Sequence, residues 1–487
     1  MFESIYESQK VYLKLFSPVH IGNEQGKITR FEFLNEGNYV YPISEEKLSN
    51  FLLEKNLVDD YVQEIENQGR DFNLLNFLRN KRVNLDANVF EFLSNRRKIK
   101  ALKNESNVDE FHPLIRDGFT NPYIPGTSIK GAIRTAILYC YLKKLKSENA
   151  NAFNSYANEI HHFISNRKNK KEFDEKIIQT VFQNFNIMGK NKSPNTDWLR
   201  MLHVSDAYPV NLNETILIKA NILKKEDDGF KFKTENNNRN TAIWIECFPI
   251  DTVFNFNITF DKKLLEKFNN FNALLPKSIN DIFECLNEWS KDIIEFEESF
   301  ASDHALGNWY KDKNLNFRLG FGSGMVSTTI VLLFDEDLRK KIRNYAGLNR
   351  GAAIAPKSRR VWNYNNKFIP FGWGLIKITP FEITTQETSN SEVVVENQIP
   401  RNKSDNEKQL QEKIITWETA LLSWNPGRNQ IIAEFGNEKT SSKIITDRSF
   451  VPEPLHKKLF DKKEKVKAKV TVKKIGNLVE IVKIEKI

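Results

Sequence analysis

Asn121-Pro122-Tyr123-Ile124-Pro125-Gly126-Thr127-Ser128-Ile129-Lys130-Gly131-Ala132-Ile133-Arg134 is the stretch from which the rest of this chain is read. Its prolines and glycine impose an irregular loop, and Ala132 to Lys144 then places Ile133, Ile137 and Leu138 at helical spacing. A loop that ends at a helix N-terminus offers amides without intrahelical partners at the positive end of the helix dipole, which suits an anion. Thr127, Ser128, Lys130, Gly131 and Arg134 bring hydroxyls, a small residue and two cations to that point, so phosphate is the expected ligand. No Gly-Lys-Ser/Thr triplet stands at Walker A spacing, so nucleotide hydrolysis is not implied. The same residues also read as a proline-glycine turn with a capped helix and surface cations.

On the N-terminal side, Val11, Leu13 and Leu15 alternate with Tyr12, Lys14 and Phe16, a strand ended by Ser17-Pro18. Strands are expected over Ile28–Leu34 and Tyr39–Ile43 around the turn Asn35-Glu36-Gly37-Asn38, followed by a helix capped by Ser44. Residues 50–110 and 141–200 read as largely helical. On the C-terminal side, Ile216–Ala220 and Thr241–Phe248 form the arms of a long hairpin with a polar tip at Lys224–Asn240. Phe254, Phe256, Ile258 and Phe260 mark a half-buried strand, and Ser278–Phe300 a helix. A glycine loop, a strand Ser327–Phe334, a helix from Asp335 and a strand Gly374–Ile378 complete the main body. This order predicts an α+β fold of two ferredoxin-like units with helical insertions, residues 1–200 and 201–380.

Residues 381–412 are polar and aperiodic and read as a linker. Residues 413–487 form a small β-rich unit, with an OB-like barrel as one form, in which Val466, Ala468, Val470 and Val472 alternate with Lys465, Lys467, Lys469 and Lys473. The plain alternative for that stripe is an edge hairpin whose lysines deter aggregation. A chain ending near Ser391 is expected to stay soluble and melt cooperatively close to the full protein. Aggregation or a much lower melt would place the last unit inside the main body.

The 487 residues carry 72 Lys and Arg against 63 Asp and Glu, a formal +9, with 36 Phe, 13 Tyr and 8 Trp. A basic, aromatic-rich chain suits RNA, although a compositional bias and an ordinary core account for most of the rings. Cys140, Cys247 and Cys285 are far apart and lack zinc spacing, so neither disulfides, metal nor another cofactor is expected. No segment reaches the ~20 apolar residues that span a bilayer, which predicts a cytoplasmic protein without a membrane partner.

Three further loops carry chemistry. Arg318-Leu319-Gly320-Phe321-Gly322-Ser323-Gly324 precedes the expected strand, and its three glycines allow positive φ and an anion-binding nest of amides. Lys357, Arg359 and Arg360 lie beside Trp362, and Ser17-Pro18-Val19-His20-Ile21-Gly22 forms a loop near the start. With the Pro125–Arg134 element, Leu202 to Ala207 and their order along residues 10–380, these segments resemble the RAMP superfamily of CRISPR-associated RNA-binding proteins. They look most like its Csm-type subunit that caps the crRNA 3′ end in type III-A effector complexes.

The resemblance implies tandem RRM-like domains and a subunit that binds the crRNA 3′ portion, caps the backbone filament and supports 3′ maturation in antiviral defence. The implied partners are crRNA, the RAMP backbone subunits, the small subunit, target RNA and recruited host nucleases. Phosphate-binding loops that choose no sequence agree with a guide whose spacer varies. A non-catalytic role is favoured. The rival is a RAMP endoribonuclease that cleaves pre-crRNA or target RNA, with His20, His112 or His161-His162 beside Lys130 or Arg134 as acid and base, or Asp109, Asp117 and Asp206 on a metal. A third class is a purely structural protein whose loops contact neighbouring subunits.

Overall fold

The computed structural model describes residues 5–486 except 24–25, 102–107, 167–176, 184–185, 188–189, 192–193, 235–241, 269–273, 349–353, 383–412, 426–429, 437, 442–449, 463 and 476–477. Two compact units divide the chain, Met1–Thr385 and Gln386–Ile487.

In the first unit the strand Tyr6–Leu15 lies at the centre of a six-stranded sheet. Val253–Asp261 pairs with it on one side and Trp373–Lys377 on the other, both antiparallel, with Val11 opposite Phe256 and Leu13 opposite Phe254. Leu202–Val204 and Tyr208–Pro209 extend the sheet beyond Val253–Asp261, and Phe317–Arg318 closes the far edge. Val11, Leu13, Leu15, Phe254, Ile258 and Phe260 are fully buried, so period-two alternation gives one face to the core. The helices Gly126–Glu148 and Ile279–Phe300 pack against each other over this core, burying Ile133, Ile137, Leu286, Trp289 and Ile293.

An eight-stranded sheet runs Lys367–Pro370, Ser358–Tyr364, Thr215–Glu226, Ile99–Ala101, Tyr39–Pro42 and Phe33–Glu36, with Gly229–Phe232 and Ala242–Cys247 also on Thr215–Glu226. Ser44 caps the helix Glu45–Glu54, and the helices that follow hold a separate small core around Phe72, Phe77 and Phe90.

Three expectations change. The helix expected from Ala132 begins at Gly126, because Ile129 is already fully buried and tertiary packing outweighs the weak helix propensity of Gly-Thr-Ser. The strand expected over Ser327–Phe334 is instead a short helix, Gly324–Thr328, and a 3-10 turn, Val331–Leu333; its β-branched run is used to bury Val326, Val331 and Leu333. The strand expected over Ile28–Leu34 breaks where the Thr29 amide and hydroxyl donate to Glu32 Oε2 at 2.8 and 2.7 Å, so Ile28–Thr29 pairs with Glu110–Phe111 and Phe33–Glu36 with Tyr39–Pro42. Both large sheets also mix strands from either side of residue 200, so that expected boundary does not separate them. The expected linker lies almost wholly outside the described residues.

The second unit is a closed barrel of Lys413–Asn425, Gln430–Phe435, Glu438–Ser441, Leu478–Lys486 and Val466–Ile475, which returns to the first strand. Glu438–Ser441 meets Leu478–Lys486 in parallel and the other contacts are antiparallel. Trp417, Leu422, Val470 and Ile484 fill its core, and Leu455, Leu459 and Phe460 from a helical segment join them.

Candidate functional site

At the start of the helix Gly126–Glu148 the Gly126 amide donates to Asp206 Oδ1 at 2.7 Å, and the Ser128 and Ile129 amides donate to the Pro125 carbonyl at 2.9 and 3.2 Å. Asp206 thus takes the Gly126 amide and the Pro125 carbonyl takes those of Ser128 and Ile129, so these three first-turn amides are used within the chain. A Cβ on Gly126 would lie 2.3 Å from the Val204 carbonyl, so glycine is needed for the helix to approach that strand. Thr127 is exposed and Ser128 half-buried. Lys130 and Arg134 follow one turn apart. Burial pulls the Lys130 ammonium below its ordinary value, with Asp197 opposing and Arg134 reinforcing the shift. The Arg134 guanidinium stands 5.5 Å from the Phe182 ring, and its Nε has no hydrogen-bond partner among the described residues.

Gly131 sits inside this helix, exposed, with no atom within 4 Å of where a Cβ would be. Interior helix glycine costs about 0.5–1 kcal/mol relative to alanine, and no described neighbour requires it. Thr127, Gly131 and Thr135 thus make one open, small-residue face of the helix, with Lys130 and Arg134 beside it.

The glycine loop has the backbone expected of it: Gly320, Gly322 and Gly324 have φ of +80°, +83° and +73°. Its surroundings differ. The Phe321 amide donates to the His20 carbonyl at 2.9 Å and the Leu319 amide to the Gly372 carbonyl at 2.9 Å, so these loop amides are used within the chain. A Cβ on Gly320 would lie 2.5 Å from the His20 carbonyl, and one on Gly322 would lie 2.9 Å from Phe371 Cβ; beside Gly324 the space is open. The structure therefore joins the His20 loop to the glycine loop directly. Arg360 completes this group, its guanidinium 5.5 Å from the Phe321 ring, half-buried and held below its ordinary value by that burial.

Burial corrects three nominated residues. Arg318 is 2 % exposed: its Nη1 donates to Ser327 Oγ at 2.9 Å, its Nε to the Phe371 carbonyl at 3.2 Å, and its plane lies 4.9 Å from the Trp373 ring. Arg359 donates through Nε to Glu297 Oε2 at 2.6 Å and lies 3.8 Å from the Phe300 ring. Both serve the fold, because a fully buried Glu297 between two guanidiniums needs its partners. His20 is also buried; its Nδ1 is 2.6 Å from the Glu246 carbonyl, and burial lowers its imidazole below the ordinary value. Gly22 beside it remains exposed, and Lys357 is half-exposed, its carbonyl bonded to the Lys225 amide.

Glu246, absent from the sequence reading, organises this region. Its carboxylate accepts from Arg97 Nη2, the Leu114 amide and Thr215 Oγ1 at 2.7, 2.9 and 2.7 Å, and also from Arg116. Burial alone would raise its pKa; Arg97, Arg116 and the hydrogen bonds outweigh that and hold it down to about 2. β-Bridges carry the scaffold onward from Gly22 to Leu114, from Arg116 to Pro122 and from Ile124 to Ala207, linking the His20 loop to the helix start. The available signal for Glu246 and Glu297 was a carboxylate in an apolar phase, Ile243–Phe248 and Trp289–Ile293–Phe300 respectively.

The carboxylates nominated for a metal have other partners. Asp109 pairs with Arg30, Asp117 accepts from the Phe119 and Asn121 amides at 2.9 Å each, and Asp206 caps the helix. Among the described residues no group of three or more His, Cys, Asp or Glu is placed to hold a metal ion, and no helix is long and apolar enough to cross a membrane. His162 contacts Asn166 on its own helix.

The sequence profile of the RAMP superfamily matches residues 12–422. A Csm5 protein of the CRISPR system of Streptococcus thermophilus is 32 % identical over 178 residues, 35 % of this chain and 49 % of that protein. One from Methanocaldococcus jannaschii is 24 % identical over 414 residues, 77 % and 90 % of the two chains. The match covers about half, or less, of the S. thermophilus protein and of an Enterococcus italicus Csm5, 49 % and 44 %. Among solved structures, a chain of a type III-A Csm–crRNA–target RNA ternary complex superposes with TM-score 0.58 at 22 % identity, covering 76 % of this chain and all of that one. T. onnurineus Csm5 gives 0.51 at 20 % identity over 75 % and 99 %. With its profile spanning most of the sequence and its relatives among Csm5 proteins of CRISPR systems, the chain belongs to the RAMP superfamily.

Proposed function

We propose that this protein is a subunit of a type III-A Csm effector complex that holds the 3′ portion of the crRNA, caps the filament of backbone RAMP subunits and supports 3′-end maturation without itself cleaving RNA. Its two sheets are taken as tandem ferredoxin-like units. Its partners in this reading are crRNA, the neighbouring backbone and small subunits, target RNA and the nucleases that trim the guide in the cytoplasm. Support comes from the Csm5 relatives and from the fold shared with a chain of a crRNA-bound complex. The observation that carries it is the open helix face of Thr127 and Gly131 flanked by Lys130 and Arg134, where an interior glycine meets no neighbour among the described residues but lets a sugar-phosphate backbone come close. Ser128, Gly22, Gly324, Arg360 and Lys357 extend the contact.

Lys130→Ala and Arg134→Ala are each expected to weaken guide RNA binding by a similar factor for every spacer sequence. Each should also reduce the slope of log affinity against log salt by roughly 0.7, the counterion release of one phosphate on a single strand. A folded double variant with wild-type affinity and salt slope would remove this role and leave a capped helix with surface cations. Incubating the chain with guide and target RNA, with and without Mg²⁺, tests the non-catalytic part. Specific cleavage abolished by substitution of a nominated histidine or aspartate would establish the nuclease instead.

A further inference from the structure

The chain's charge is unevenly placed. Residues 413–487 hold 16 Lys and Arg against 9 Asp and Glu, whereas residues 1–412 hold 56 against 54, so the barrel carries seven of the nine net positive charges. Within the barrel the cations gather on one continuous segment. Lys457, Lys458 and Lys462 are exposed on and just after the helical turn 453–461, and Lys465 and Lys467 are exposed just before and on the strand Val466–Ile475, whose Val466, Ala468, Val470 and Val472 face the core.

Protection of an open edge does not account for this row. Val466–Ile475 is paired on both sides, with Lys413–Asn425 and with Leu478–Lys486, and the barrel is closed, so its lysines guard no free strand. Two of them meet carboxylates: Lys465 lies 3.1 Å from Glu434 and Lys469 2.9 Å from Glu418. Exposed pairs of this kind are weak and are readily exchanged for a phosphate. Among the described residues Lys457, Lys458, Lys462 and Lys467 form no ion pair. Alternate residues of a strand project about 7 Å apart on one face, on the order of the separation of successive phosphates along an extended single strand. Exposed Asp461 and Glu464 interrupt the segment, but its lysine excess with a regular spacing on the strand matches a regular polyanion better than the irregular surface of an acidic protein.

We propose that the outer face made by the helical turn 453–461 and the strand Val466–Ile475 binds the phosphate backbone of single-stranded RNA, as a second RNA contact distinct from the helix face at Lys130. The strand order, with its parallel contact between the third and fifth strands, is that of an OB-like barrel, yet these cations lie on the helical turn and the fourth strand and not on the second and third strands that OB barrels commonly offer. This inference does not rest on the crRNA reading, and failure of the Lys130 and Arg134 tests leaves it intact.

The test uses the full chain and an oligouridylate of about eight nucleotides, within the site size of one such barrel. Wild type is expected to show two classes of binding site. Combined Lys457→Gln, Lys458→Gln, Lys462→Gln and Lys467→Gln should keep the melt and weaken one class about tenfold or more, with a shallower salt dependence. Lys130→Ala with Arg134→Ala should leave that class unchanged. Wild-type stoichiometry and salt slope in the fourfold variant would overturn the proposal. So would displacement of the RNA by polyglutamate at equal or lower charge concentration, which would assign the face to an acidic protein. Photo-crosslinking of 4-thiouridine RNA to the unaltered chain gives an independent readout: crosslinks within 453–475 support the proposal, and their absence there overturns it.

Discussion

Glu246→Ala is expected to lower the unfolding free energy by about 3–5 kcal/mol, the range for removing one partner from a buried ion cluster. The carboxylate is fully buried, and its loss leaves the Arg97 and Arg116 guanidiniums, only 18 % and 15 % exposed, without a counter-charge. The Leu114 amide and the Thr215 hydroxyl lose their acceptor as well. Glu246→Gln should cost less, because the amide keeps an acceptor and the side-chain shape. The pH dependence distinguishes charge from packing. Glu246 is held near 2 in the folded chain against an ordinary value of 4.5, so its contribution is complete above about 4.5 and is lost as pH falls toward 2. Denaturant melts of wild type and Glu246→Gln should therefore converge as pH drops from 5 to roughly 2. A gap that stays constant over that interval would show that packing, not the charge cluster, sets the effect.

Gly320→Val should produce a loss of similar size. A β-branched residue at φ +80° is strained by about 1–3 kcal/mol, and its Cβ would press 2.5 Å from the His20 carbonyl, which cannot move without releasing the Phe321 amide. Gly322→Val combines φ +83° with a 2.9 Å approach to Phe371 Cβ and should follow closely. Both should impair assembly and RNA binding far more than Lys224→Ala. Gly324→Val separates the two uses of the loop: it has the strain of φ +73° but open space around it, so the fold should survive. Normal RNA binding by that variant would make the loop a packing device. Loss of binding in a folded protein would mean that a ligand approaches the backbone at Gly324.

The sequence by itself determined the local elements and the family. Alternation in Val11–Leu15 and Phe254–Phe260, the Ser44 and Asp335 caps and the apolar phase of Ile279–Phe300 are short-range patterns, and the structure has them where those patterns lie. Positive φ at Gly320, Gly322 and Gly324 was legible for the same reason, since few other residues adopt it. Tertiary structure alone decided which charged residues face solvent. Arg318, Arg359 and Arg360 look equivalent in the chain, yet the first two are buried around Glu297 by pairing across 21 and 62 positions, and only Arg360 stays beside the loop. Likewise Gly126 serves helix–strand contact while Gly131 serves none among the described residues, a difference set by Val204 and Asp206 some 80 residues away. Sequence spacing reports neighbours along the backbone; the burial of a charge, and so its availability to a phosphate, depends on chain segments brought together only by the two sheets.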